Sequence, residues 1–427
     1  MMAPDSTNWE RVPIVDLCAE HVDCVNRTAP VVDEPTPFKM IRTTNVRNGF
    51  IDIDNVRYVT EETYKRWTRR LVPKRGDVIL TREAPLGGAG KVRSDDHIFL
   101  GQRLYHFRPD PNKLDADFLL YALMAPDLQG QIRALGSGAT VEHMRLGDIP
   151  SLEIGAPALL VQRRIGGILS AYDELIENNQ RRIKILEEMA RSLYREWFIH
   201  FRFPGHDKVK MVPSPLGLIP QGWEVRTVGE SFEISGGGTP SRKDLDYWDG
   251  GTIQWYAPSD LTRAGTMFMD ESSERITERG LAESSTRLFP TRSVMLTSRA
   301  TIGALAINTS DACTNQGFIT CLPNERVPLY FLFHWVRENV PTFQRMASGA
   351  TFKEISRGVF KTIDFLHPSV QLVHRFEGIV TPLAEQLLVF QRQMQNLRQT
   401  RDLLLPRLLS GHIEIQNTDS QVDKDQH

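Results

Sequence analysis

The chain has 427 residues, room for two to four domains at roughly 100–200 residues each. With 41% hydrophobic and 24% charged residues it is neither disordered nor collagen-like, and its net charge of −2 lacks the basic surplus common in dedicated nucleic-acid binders. Cys18, Cys24, Cys313 and Cys321 form no C-x-x-C pair, which disfavours a disulfide framework or a zinc site, and no long uncharged run or signal-like start is present, so a cytoplasmic protein with no membrane segment is expected.

In chain order, the first predicted globular unit covers residues 1–156. Between Phe38 and Arg108 it carries 15 basic against 8 acidic residues, a candidate basic patch. The loop FKMIRTTNVRN supplies Arg42, Thr43, Thr44, Asn45, Arg47 and Asn48, donors and amphoteric groups that suit phosphates and base edges. Asp77–Thr81 reads as a strand, with Arg82 at its end. Gly87–Lys91 superficially resembles a phosphate loop but has Pro85 where the first glycine belongs and Val92 after the lysine, so it reads as a tight loop. Ala116–Leu135 reads as a helix closed by the tetrapeptide Ser137–Thr140.

A long helix is predicted over residues 157–202. Its apolar seam alternates steps of four and three through Ile165, Leu169, Tyr172, Ile176, Asn179, Ile183, Leu186, Ala190, Leu193 and Trp197, with Asn179 as the one amide that lowers stability but fixes register. Residues 203–222, rich in proline and glycine, read as a linker.

The second globular unit is predicted at 223–367. Its glycine turn SGGGTPSRK presents Gly237, Gly238, Thr239, Ser241, Arg242 and Lys243, followed by Tyr256 and Ser259; Arg299, after the strand Val294–Thr297, joins the same candidate set. Gly317–Cys321 reads as a strand and Val327–Met346 as a helix before a second Ser-Gly-Ala-Thr at Ser348–Thr351. A second long helix over 368–412 repeats the seam at Phe376, Val380, Leu383, Leu387, Phe390, Met394, Leu397, Arg401, Leu404 and Leu408, stopping near Pro406, and 413–427 is expected as a disordered tail.

The two tetrapeptides are 211 residues apart, and the same offset pairs Gly147 with Gly358, Pro157 with Pro368, Gln180 with Gln391 and Leu186 with Leu397. Two divergent α+β units, each followed by a matched helix, are therefore expected, the helices paired as an antiparallel coiled coil with pseudo-two-fold symmetry. No metalloprotease, serine-hydrolase or phosphate-loop signature occurs, no lysine has the acidic partner of a restriction-type nuclease, and no Pro-Pro pair supplies the base-gripping motif of amino-methyltransferases. The loops point to recognition without catalysis.

Several segments carry a family resemblance: MIRTTNVRNGFID (Met40–Asp52), VTEETYKRWTRR (Val59–Arg70) and GDVILTREAPLG (Gly76–Gly87); then the central ENNQRRIKILEEMARSLYREWFIHFRFPG (Glu177–Gly205) and IPQGWEV (Ile219–Val225); then ISGGGTPSRKDLDYWDGGTIQWYAPSDL (Ile234–Leu261) and LLLPRLLSGHI (Leu403–Ile413). In this order and with this repeat the chain resembles a type I restriction-modification DNA specificity subunit. The resemblance implies that each unit reads one half of a bipartite double-stranded DNA site, that the helices set the spacing and dock two methyltransferase subunits, and that restriction/translocase subunits then join. S-adenosylmethionine, ATP and Mg would belong to those partners, with no cofactor on this non-catalytic chain. Two unlike half-sites at a fixed spacing, on the order of 10–15 bp, are expected. The rival readings are a coiled-coil scaffold without DNA specificity and the recognition portion of a methyltransferase or nuclease.

Overall fold

The computed structural model describes residues 9–138, 142–349 and 353–413. The chain divides into two compact units, Met1–Glu177 with Gln395–His427 and Asn178–Met394, so each unit takes part of both long helices. The helices run Leu159–Tyr194, extended by a π-turn Arg195–Ile199, and Val370–Leu409.

In the first unit, four antiparallel strands lie in the order Cys18–Asp23, Leu104–Pro109, Val78–Arg82, Leu86–Lys91. Gly87–Lys91 is thus strand, not a loop. Its glycines let another backbone approach: a Cβ at Gly88 would lie 2.8 Å from the Val46 carbonyl oxygen, and one at Gly90 2.7 Å from that of Phe50. Phe38–Ile41 pairs in parallel with His97–Leu100. The expected helix 116–135 is two, Ala116–Met124 and Pro126–Leu135, because the proline ring holds Ala125 extended at ψ 152°. Phe118, Leu119 and Tyr121 pack in one core with Ile165 and Leu169 of the first long helix and Leu405 and Leu408 of the second.

The second unit holds a five-stranded sheet, ordered Glu233–Gly236, Phe318–Leu322, Val294–Thr297, Leu305–Asn308, Phe268–Met269, and a three-stranded one. The helix Leu329–Met346 lies in an aromatic core of Tyr194, Trp197, Phe198, Phe331, Trp335 and Phe376, each large ring contributing roughly 1.5–3 kcal/mol by burial. Its first amides, Tyr330 N and Phe331 N, donate to the Glu377 carboxylate at 3.0 and 3.1 Å. The matching position in the first unit is Gly166, where a Cβ would lie 2.7 Å from Asp115 Oδ1; there Asp115 caps its own helix and the long helix gives way. Residues 211–220, expected within a linker, form a hairpin closed by Ser214 Oγ donating to Gly217 O at 2.7 Å.

Every seam position of the first helix is buried or half-buried, while neighbours such as Leu175, Ile185 and Met189 are exposed. Within the first unit Asp173 meets Arg401; within the second, Asn179 Nδ2 reaches Gln393 Oε1 at 3.3 Å and the Arg182 guanidinium lies 5.3 Å from the Phe390 ring. As one number rises the other falls, so the helical segments pair antiparallel. Ile176, Leu387 and Met394 are buried; Ile183, Leu186, Leu193, Phe390, Leu397 and Leu404 are half-buried. The second helix runs through Pro406 to Leu409, beyond the expected stop, and the Pro406 carbonyl accepts from Ser410 N at 3.1 Å. Residues 414–427, and the Ala-Thr of both tetrapeptides, lie outside the described residues.

His334 is buried against Tyr194 and Phe376, and burial first, then the positive Arg337 and Arg191, push its pKa down to about 3. The unfolded chain takes up this proton near pH 6.5, the folded chain only near 3, so stability falls as pH drops through that window. We expect this group to remove about 1.4 kcal/mol per pH unit below 6.5, and His334→Phe to flatten the slope, in urea titrations of unfolding at pH 7, 6 and 5.

Candidate nucleic-acid interface

In the first unit the candidate loop sorts itself by exposure. Asn45 is buried: its Oδ1 accepts from Arg42 N and its Nδ2 donates to Asn55 O, both at 2.9 Å. It caps the turn Thr43–Asn45 and offers its amide to nothing outside. Thr43 Oγ1 is tied to Ala84 O at 2.9 Å, and Arg82, also buried, donates to Met144 O at 3.0 Å. Arg42 is half-buried, whereas Thr44 is exposed in the turn Thr43–Asn45 and Arg47 and Asn48 are exposed at the tip of the hairpin Val46–Arg47/Phe50–Ile51. The tight turn needs Asn48 at φ 52° and Gly49 at φ 84°. Much of the basic surplus is spoken for within the unit, Lys39 by Asp96, Arg70 by Asp23, Arg103 by Glu83 and Arg108 by Asp77. Arg47 has no ion pair among the described residues.

In the second unit the strand Glu233–Gly236 runs into Gly237, where a Cβ would lie 1.9 Å from the Asn315 carbonyl oxygen. Only glycine fits. Gly238 N donates to Thr314 O at 2.9 Å, and its own carbonyl accepts from Trp255 Nε1 and Thr286 Oγ1. Thr239 Oγ1 donates to Gln316 Oε1 at 2.6 Å. A cavity of about 460 Å³ opens beside Gly237, Ser298, Gln316, Glu354 and Arg357, and another of about 340 Å³ beside Pro258, Arg299, Asn315 and Gln316. Gly237, Thr239 and Arg299 therefore converge on residues 315–317, and Ser259 is exposed one residue beyond Pro258.

The other predicted residues do not join them. Arg242 stacks on Trp248 at 3.8 Å and pairs with Glu274, bracing the turn on its far side. Ser241 and Lys243 are exposed on the same turn. Tyr256 is fully buried with its hydroxyl donating to Met269 O at 3.2 Å, a core residue that offers no surface.

Both clusters share a backbone plan that the loop residues alone did not reveal. Ser137 and His143 exchange backbone hydrogen bonds of 3.0 and 2.9 Å, and Ser348 and Glu354 do the same at 3.0 and 2.9 Å. Met144 N then donates to Arg82 O, and Ile355 N to Ser298 O, each at 3.0 Å. The repeated tetrapeptide thus begins a loop docked on the end of the central strand in each unit, with Arg82 and His143 in one and Ser298 and Glu354 in the other. The 211-residue offset was the available signal for His143 and Glu354; Asn315, Gln316 and Arg357 carried none.

The profile of the type I restriction modification DNA specificity domain matches residues 7–188 and 220–371. The chain belongs to this family. Among relatives of this family, it is 24% identical over 367 residues to the type I restriction enzyme MjaIX specificity subunit of Methanocaldococcus jannaschii, covering 84% of this chain and 82% of that protein. It is 21% identical over 405 residues to the HindI specificity subunit of Haemophilus influenzae, covering 80% and 87%. The crystal structure of a type I restriction-modification S subunit from M. genitalium shares the fold, with a TM-score of 0.61 at 18% identity over 95% of this chain and 98% of that one. No helix among the described residues is long and apolar enough to cross a membrane.

As expected outcomes, Gly237→Ala and Gly90→Ala should each force a backbone contact apart, the first in the second unit's cluster and the second beneath the first unit's hairpin. Each variant is expected to lose about 1–3 kcal/mol of discrimination at one half-site only, read by competition between duplexes altered in either half. Equal loss at both halves would contradict the assignment.

Proposed function

We propose that this specificity subunit reads a bipartite double-stranded DNA site, one half by each unit, for a methyltransferase that docks on the paired helices. The observation that supports this most is the same loop framework in both units carrying unlike side chains, Arg82 and His143 in one and Ser298 and Glu354 in the other, with different exposed donors in each unit, Thr44, Arg47 and Asn48 in the first and Thr239, Arg299 and Gln316 in the second. One framework with two chemistries is what two unlike half-sites require. The exposed apolar side chains Leu175, Ile185 and Met189 on the first helix and Val389 on the second offer protein-docking surface.

On this reading the chain is a non-catalytic cytoplasmic partner, with S-adenosylmethionine, ATP and Mg held by the methyltransferase and restriction/translocase subunits. The near-neutral net charge of −2 supports shared phosphate contacts, with the partner subunits contributing.

The test is a pair of variants in the assembled complex. Arg47→Ala with Asn48→Ala should relax one half-site by about 1–3 kcal/mol per lost base-edge contact, and Arg299→Ala the other. Uniform weakening on all duplexes would make these residues phosphate contacts, and no change in either half would remove them from the interface.

A further inference from the structure

At the end of its central strand each unit exposes one carboxylate and one guanidinium, held together by the docked loop framework. In the first unit Arg82 N donates to Arg103 O at 2.9 Å and Arg82 O accepts from Met144 N at 3.0 Å. In the second, Ser298 N donates to Gly317 O at 2.8 Å and Ser298 O accepts from Ile355 N at 3.0 Å. One residue on, Glu83 and Arg299 therefore hold the same place, Glu83 opposite His143 and Arg299 opposite Glu354. The residues that follow, Ala84 and Ala300, both take the left-handed conformation, at φ 45° and 60°, which non-glycine residues rarely adopt.

The charges at this place are exchanged between the units. The first puts the carboxylate on the strand end, Glu83, and the guanidinium on the neighbouring segment, with Arg103 Nε 3.1 Å from Glu83 Oε2. The second puts the guanidinium on the strand end, Arg299, and the carboxylate on the docked loop, with Arg299 Nε 3.9 Å from Glu354 Oε2. Both arginine side chains are 47% exposed, Glu83 25% and Glu354 43%, so each pair is open to a ligand and gives the fold little as a surface ion pair. Glu354 also lines the cavity of about 460 Å³ with Gln316 and Arg357. A guanidinium alone would suit a phosphate, but a carboxylate beside it repels one.

Such a pair complements a base pair whose acceptors lie next to a donor. In the major groove guanine offers N7 and O6 as acceptors and its cytosine the N4 amine, whereas adenine and thymine alternate acceptor, donor, acceptor. We propose that each pair reads a G·C base pair in its own half-site, the guanidinium donating to guanine N7 and O6 and the carboxylate accepting from cytosine N4. Arg103 with Glu83 does so in the first unit, and Arg299 with Glu354 in the second. This rests on the DNA-reading proposal and adds to it the identity of one base pair in each half.

The test uses the full chain assembled with its methyltransferase, on duplexes carrying the mapped motif. N4-methylcytosine or 7-deazaguanine is placed at each G·C pair in turn, and the methylation rate of the wild-type complex is measured with the complex limiting. One G·C pair in each half is expected to lose roughly tenfold or more with either analogue. Glu354→Ala should abolish the N4-methylcytosine penalty in the second half alone and Glu83→Ala in the first half alone, while Glu354→Gln, whose amide oxygen still accepts, should retain it. A carboxylate that only braced its arginine would lower the rate on every duplex and leave the penalty in place, which would overturn the proposal. The analogue series on the wild-type complex decides the matter by itself if a variant does not assemble. A bipartite motif with a half that specifies no G·C pair, or with no cytosine sensitive to N4-methylation, would overturn this inference and leave the DNA-reading proposal standing. Absence of any bipartite motif would overturn both.

Discussion

Replacing Arg401 by methionine is expected to destabilise the first unit by about 3–5 kcal/mol, seen as a lower urea midpoint. Asp173, on the first long helix, is fully buried and held by Arg401 Nη1 at 2.5 Å and the Tyr121 hydroxyl at 2.7 Å, with Arg93 Nη2 3.7 Å away. Removing the guanidinium leaves a carboxylate in an apolar core with too little compensation. Asp173→Leu alone should cost less, because Arg401 keeps Asp402 Oδ1 at 2.8 and 3.0 Å and only its Nη1 loses a partner. The triple variant Asp173→Leu, Tyr121→Phe, Arg401→Met removes the three directly hydrogen-bonded groups, leaves Arg93 to Glu177, and should recover most of the loss, since well-packed apolar replacements of buried ion pairs are often neutral or better. A loss below about 1 kcal/mol in the single variants would show that the pair is not desolvated. The network also touches the interface: a Cβ on Gly49 would lie 3.5 Å from Asp173 Oδ2, so the Asn48–Gly49 turn rests on this carboxylate. Arg401→Met should therefore weaken reading of the first half-site more than the second.

Phe376→Ala is the corresponding break in the second unit. This seam residue is fully buried, with ring centroids of Phe198 at 5.2 Å, Tyr194 at 5.8 Å, His334 at 6.1 Å and Trp197 at 6.2 Å. Truncation leaves a cavity where the two long helices and the helix Leu329–Met346 meet, at a cost of about 3–5 kcal/mol. In calorimetry the transition of this unit should fall by roughly 6–20 °C. Phe376→Leu, which keeps much of the volume, should cost less than half as much. Equal effects of the two substitutions would place the ring outside a close-packed core.

The seams were readable because a helix repeats its buried face every three and four residues, and the repeated pattern survives one polar member. Asn179 and Arg401 stood out as interruptions, and each proves to have a polar partner, Gln393 and Asp173. Those partners were not readable, because Asp173 and Gln393 lie off the seam and nothing local marks a pairing more than 200 residues away in sequence. The strand assignments near Val78, Val294 and Phe318 followed from short apolar runs. Gly87–Lys91 misled because glycines that admit a neighbouring backbone look, in sequence, like glycines that make a turn. The interface residues divide similarly. Composition picks out a loop rich in donors, but it does not say which donors cap the loop itself. Asn45 and Arg82 turned inward to satisfy backbone groups, and Tyr256 filled a core, while Thr44, Arg47, Asn48 and Arg299 stayed at the surface. Asn315 enters only because the Gly237 turn packs against its backbone, and Gln316 only because Thr239 donates to its side chain.

The most direct test of the central claim is to co-express this chain with its neighbouring methyltransferase and map the methylated bases of host DNA by single-molecule sequencing. The account predicts one bipartite motif with two unlike halves and a constant gap, in which Arg47→Ala with Asn48→Ala relaxes one half and Arg299→Ala the other. A complex that forms but leaves host DNA unmethylated, or a motif that is continuous and indifferent to both variants, would contradict it.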